Sequence, residues 1–258
     1  MTMLSQVRTL SPKGPARSRR ARQLALDFEA HGWGGRRAGA GRKAEATREG
    51  FVAHVGRPEL DERHPVHVTM RAVARCPSLR TQRVLRIVHG CLARVSRRVS
   101  PFRVNHFSVQ ADHIHLVVEA NNRFRLQRAL QWLASRIARA VNSLVGRRGS
   151  LWRDRYHRRD LTSPRQVRNT IVYVLMNVRK HARAWRLPLA PLDPLSSAAW
   201  IDGWDARAGP FVAQVRAWLH ERGFDVCPVA PAETWLGNVG WRRRGLLRAT
   251  ELPASAPP

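Results

Sequence analysis

His113-Ile114-His115-Leu116-Val117-Val118-Glu119-Ala120 is the stretch from which the rest of the chain can be placed. Strand side chains alternate, so Ile114, Leu116, Val118 and Ala120 share an apolar face. His113 and His115 then project together from the other face. Just upstream, Phe102–Gln110 reads as a second strand, and Ala111-Asp112 is the short turn of a hairpin between the two. Two imidazoles one residue apart on one face can share a cation. Taken alone, a His-x-His pair is more often two unrelated polar residues on the wet side of a sheet.

Working outward, Val66 to Val73 also alternates, with Val66, Val68, Met70 and Ala72 on one side and His67, Thr69 and Arg71 on the other. Ser78 is the expected cap of a helix to about Arg98 that carries Val84, Leu85, Val88, Leu92 and Val95. A second helix is expected from about Leu126 to Val145, and a third from Pro164 to His181 with Ser163 as its cap. The order is β-α-β-β-α, a basic segment, then α. An α+β fold satisfies it: a ferredoxin-like antiparallel sheet with helices on one face.

The domain built from these elements is expected over 51–183. Residues 1–50 read as a disordered basic tail, with a Gly/Arg-rich run that ends in Arg42 and Lys43. Residues 184–258 form a Trp-, Pro- and Arg-rich extension that holds six of the nine tryptophans. One helix is expected there, at about Phe211 to Glu221. Trp235 to Trp241 and the arginines that follow suit either a DNA-hairpin contact or core packing.

The third helix carries the second chemical signal. At about 100° per residue, Val167, Ile171, Val174, Leu175 and Val178 form one apolar stripe. Tyr173 falls roughly 140° from its centre, on a face shared with Asn169, Asn177 and Lys180. Asn177 is one turn beyond Tyr173, so a phenol and an amide point into the same space. The amide can complete a metal site, or the pair can be an ordinary surface tyrosine and asparagine.

Charge narrows the partner. Lys and Arg number 46 against 18 Asp and Glu, a net +28. Such an excess, mostly arginine, points to a polyanion, and the fork of arginine suits phosphate and bases. No apolar run approaches a membrane span. The scattered Cys76, Cys91 and Cys227 suggest neither disulfides nor a Cys-x-x-Cys zinc site, so a reducing cytoplasm is expected.

The strand His113-Ile114-His115 after Asp112, the helix Tyr173 to His181, the segment Leu151-Trp152-Arg153-Asp154-Arg155-Tyr156-His157 and the strand His67-Val68-Thr69-Met70-Arg71 together resemble the HUH single-tyrosine transposases. Within these, the pattern is similar to the REP-associated tyrosine transposases. The resemblance implies that His113 and His115 bind Mg²⁺ or Mn²⁺, that Asn177 adds a ligand, and that Tyr173 is the nucleophile. It implies cleavage and joining of single-stranded or hairpin DNA through a 5′-phosphotyrosine, by a monomer or, alternatively, a dimer. Many relatives carry Asn-Pro where this chain has Asn177-Val178, which marks a divergent subgroup.

Further DNA contacts are expected from Arg42, Lys43, Arg71, Arg123, Arg125, Lys180 and the cluster Arg153, Arg155, Tyr156, Arg158 and Arg159. Tyr156, the only other tyrosine, fits base stacking better than packing or nucleophilic attack. Two other readings compete. A domesticated DNA- or RNA-hairpin binder would keep the fold without catalysis. An ordinary metal-dependent nuclease would need more carboxylates near the histidines than the sequence offers. No organic cofactor is expected, and a nucleoid-associated protein of the cytoplasm follows from the substrate.

Overall fold

In the computed structural model, residues 56–185 and 192–253 are described. They belong to a compact unit that spans Glu49–Pro258. The strands are β1 (Val66–Arg71), β2 (Phe102–Val109), β3 (His113–Ala120) and β4 (His157–Asp160). The helices are α1 (Gln82–Arg98), α2 (Arg123–Leu144), α3 (Pro164–Trp185), α4 (Gly209–His220) and α5 (Trp235–Asn238).

The sheet order is β2-β3-β1-β4, with every neighbouring pair antiparallel. This is the ferredoxin-like arrangement that the element order implies. The α+β class and the antiparallel sheet are therefore borne out. β4 is the strand that completes it, and it lies inside the basic segment. His-Arg-Arg-Asp has no apolar alternation to betray a strand. It is an edge strand, where charged side chains block further pairing.

The helices divide between the two faces. Phe107 pairs with Leu116 and so shares the apolar face of β3. The α1 residue His89 packs edge-on against Phe107 at 5.4 Å. From α2, Leu130 and Gln131 border the same cavity as Met70 of β1. Thus α1 and α2 cover one face. The α3 residue Tyr173 meets His67 and His115, so α3 lies across the other. A helix on each side explains why β3 is buried along its whole length. The core includes Val66, Val68, Leu85, Leu92, Phe107, Leu116, Leu133, Ile171 and Leu175.

Capping moves the helix starts. The cap of α1 lies three residues after the expected Ser78, because Leu79 is buried and its N–H is tied to the Ala111 carbonyl at 2.7 Å. Thr81 caps it instead, and its hydroxyl accepts the Val84 N–H. Asn122 caps α2 through the Arg125 N–H. Ser163 caps α3 as expected, accepting from Gln166 at 3.3 Å, and the helix continues past His181 to Trp185.

Residues 192–253 share this core. Asp193 takes both arms of Arg80, at 2.6 and 2.9 Å. Glu119 of β3 accepts the N–H groups of Glu233 and Thr234 and the Thr234 hydroxyl. Trp241 is 1% exposed. A Cβ at Gly203 would overlap its ring, so glycine is required for this close approach.

Candidate active site

Antiparallel register assembles the site from two strands. Thr69 pairs with His115, and Arg71 pairs with His113. The two histidines expected to act together face each other, Nε2 to Nε2, at 2.9 Å. Asp112 lies 2.6 Å from Nδ1 of His113. A carboxylate only accepts, so Nδ1 of His113 carries the proton and its Nε2 presents a lone pair. Burial works to raise the Asp112 carboxyl, but His113 and Arg71 hold it below its ordinary range.

Nδ1 of His115 is 3.2 Å from Nε2 of His67 and 3.1 Å from the Thr69 hydroxyl. Burial, with the nearby His157, Arg159 and His113, pushes His67 down to about 4. At neutral pH its ring is therefore uncharged and its Nε2 can accept. If Nδ1 of His115 donates there, Nε2 of His115 is also a lone pair aimed at the same point. His67 belongs to the site but was not among the candidate residues. The signal was present in the polar face of β1.

Helix α3 lays Tyr173 on this cluster. Its ring is half-buried, edge-on to His115 at 5.1 Å and to His67 at 6.0 Å. Burial raises the phenol above its ordinary value, and Arg71 works against that. One turn on, Asn177 is fully buried, and both its side-chain polar atoms lack a hydrogen-bond partner among the described residues. An unsatisfied amide costs about 1–3 kcal/mol, which calls for a compensating ligand. Asn169, expected on the same face, is exposed.

The other expected contacts separate into groups. Arg71 is half-exposed beside Asp112 at 3.8 Å. Arg159 and His157 pair with His67 and Thr69, and so flank the site on the same face. Arg125 and Arg153 are exposed. Arg123 pairs with Glu59 at 2.9 Å. Arg158 is a correction: its side chain is 5% exposed and forks onto Asp160, with further bonds to the carbonyls of Pro58 and Glu59. Those bonds take up its guanidinium, making it a structural arginine. Arg155 and Tyr156 border a cavity on the opposite face, where Arg57 sits 3.8 Å over the Tyr156 ring. Trp241 is core, whereas Trp235 is half-exposed with Arg243 at 5.1 Å from its ring. Arg42, Lys43 and the Lys180 side chain lie outside the described residues.

Among the described residues, no group of three or more His, Cys, Asp or Glu is arranged to hold a metal ion. What the site offers is two imidazole nitrogens, Nε2 of His113 and Nε2 of His115, 2.9 Å apart. No described helix is long and apolar enough to cross a membrane.

The model of the family of IS200-like transposases matches residues 62–174, a span from β1 to Tyr173. At family level this bears out the resemblance carried by the motifs. No curated protein matches the chain. One solved structure similar to it is a REP-associated tyrosine transposase bound to a REP hairpin. Identity is 18% over 50% of this chain and 74% of that one, with a TM-score of 0.39. Another is a bacterial tRNA(His) guanylyltransferase-like protein in complex with GTP. There identity is 13% over 51% of this chain and 71% of that one, with a TM-score of 0.37.

Proposed function

We propose that this chain, similar over residues 62–174 to the IS200-like transposases, is a single-tyrosine transposase that cuts and rejoins single-stranded DNA. The observation that carries the reading is the ring of Tyr173 seated 5.1 Å from His115, within the His67–His115–His113 cluster.

The residues present fit a divalent cation. Two nitrogens 2.9 Å apart can be neighbouring ligands on one ion, and Asn177, one turn beyond Tyr173 with a buried and unpaired amide, would add an oxygen. His113, His115 and Asn177 would hold Mg²⁺ or Mn²⁺, with Mn²⁺ favoured by the imidazoles. The bound ion would polarise a phosphate oxygen and offset its charge.

The chain's own groups account for the rest. Asp112 and the pair His67 and Thr69 fix the two ligand rings from behind. Helix α3 holds the phenol beside the phosphate position, which replaces a random encounter. Arg71 favours the phenolate and the incoming phosphate alike. The phenol oxygen bonds to phosphorus as the P–O3′ bond breaks. The phenol proton leaves, and the departing 3′ oxygen takes one up. A 5′-phosphotyrosine conserves the phosphodiester, so a 3′-OH can reverse the step.

A hairpin-forming repeat is the substrate that the motif resemblance implies. With this reading goes a monomer, or alternatively a dimer, that works at the nucleoid in the cytoplasm. The test is a 3′-labelled hairpin oligonucleotide with Mn²⁺, run on a denaturing gel. The label shifts with the protein, and Tyr173→Phe abolishes the shift. Binding without an adduct would favour the domesticated binder. Cleavage that survives Tyr173→Phe would favour a water-using nuclease.

A further inference from the structure

The proposed active site uses one face of the sheet. On the other, between α2 and the segment leading into β4, lies a cavity of about 510 Å³. That is the volume of a site for a small organic ligand. Met70, Leu130 and Ala134 give it an apolar floor. The indole of Trp152 is pinned to the Ala134 carbonyl at 2.8 Å. Tyr156 contributes a second ring. Phe124, at the mouth, is 64% exposed. The Arg123 guanidinium lies 4.8 Å from the Phe124 ring centroid, which puts a ring and a cation together at the entrance, a pairing suited to stacking on a base.

The polar groups are of two kinds. Arg57, Arg123 and Arg155 border the cavity with positive charge. Gln127 and Gln131, one turn apart on α2, border it with amides, and Asp154 adds a carboxylate. A phosphate alone would need neither the rings nor the amides, and Asp154 would repel it. A nucleobase matches all of these features. It offers a π face to the rings and an edge of donors and acceptors to the amides and carboxylate, while the phosphates of its strand meet the arginines.

Strand β4 links the two faces. Arg159 and His157 point to the active-site side, as their pairing with His67 and Thr69 requires. The segment just before β4 carries Arg155 and Tyr156 into the cavity. A single strand that rounds this edge meets both.

We propose that this cavity receives an unpaired nucleobase of the bound strand, away from the scissile phosphate. The proposal rests on the reading of the chain as a single-strand DNA enzyme, but not on its chemistry.

The test uses the full chain in EDTA, so that no strand is cut. The probe is a single-stranded 12-mer that carries 5-iododeoxyuridine, cross-linked by light and mapped by mass spectrometry. Labels are expected on Phe124, Trp152 or Tyr156. Phe124→Ala, at an exposed position, is expected to weaken binding of the 12-mer about tenfold. Labels confined to aromatics elsewhere, such as Trp235, or unchanged binding by Phe124→Ala, would overturn the proposal. Equal labelling by free 5-iododeoxyuridine monophosphate would assign the cavity to mononucleotides and overturn it too. Labels in the cavity of a chain that never forms an adduct would leave the base site standing and sink the catalytic reading.

Discussion

The Asp112 carboxylate, 2.6 Å from His113, sets the orientation and proton position of a ring that the sequence singled out for metal. Sequence reading noted Asp112 only as the residue before the histidines. Partners behind a ligand are hard to see in a sequence because their role depends on a rotamer. Asp112→Ala is expected to leave the fold intact, since the side chain is 59% exposed. It should lower Mn²⁺ affinity about 10- to 100-fold, the usual cost of losing such a partner. Calorimetric titration of the protein with Mn²⁺ measures this directly, and unchanged affinity would mean that His113 is oriented by something else. Asn177 shows the converse limit. Helical phase located it beside Tyr173, but the same phase suggested a solvated polar face. Burial of the amide is set by packing over α3, beyond the reach of a helical wheel.

At the scale of elements, legibility followed periodicity. The alternating strands β1 to β3 and the stripes of α1, α2 and α3 were all readable in the sequence. The fourth strand was not, because its side chains are chosen for the edge rather than the core. Its alternation is one of jobs: Arg159 faces the site and Arg158 ties the edge down. Arg158→Ala removes a nearly buried guanidinium from its pair with Asp160, whose side chain is 26% exposed, and from the carbonyls of Pro58 and Glu59. A loss of about 2 kcal/mol in urea unfolding is expected, between the values for surface and buried pairs. A change below 1 kcal/mol would show that β4 is held by its backbone pairing alone.

At the scale of the molecule, the fold buries neutral histidines in three places. His67, His89 and His106 are each held down to about 4 from 6.5, in every case chiefly by burial. Nε2 of His89 and Nδ1 of His106 have no hydrogen-bond partner among the described residues, as befits uncharged rings. Below pH 6.5 the unfolded chain takes up protons that the native rings refuse. Stability is thus full above pH 6.5 and is lost as pH falls towards 4. By pH 5 the loss is about 2 kcal/mol for each histidine. Urea midpoints at pH 7 and pH 5 check this, and equal midpoints would contradict it. His106 also shows why the C-terminal residues resisted sequence reading. Asp202 and Arg242 reach it from a segment that carries no strand or helix periodicity of its own.

The central claim is that one phenol does the chemistry. The chain has two tyrosines, so the claim can be put to a single choice. Trypsin places Tyr173 in the peptide 169–179 and Tyr156 in the peptide 156–158. After reaction with a hairpin oligonucleotide and Mn²⁺, followed by nuclease and trypsin, mass spectrometry reads which peptide carries a nucleotide. The nucleotide is expected on 169–179. A nucleotide on 156–158, or cleaved DNA with neither peptide modified, would contradict the account.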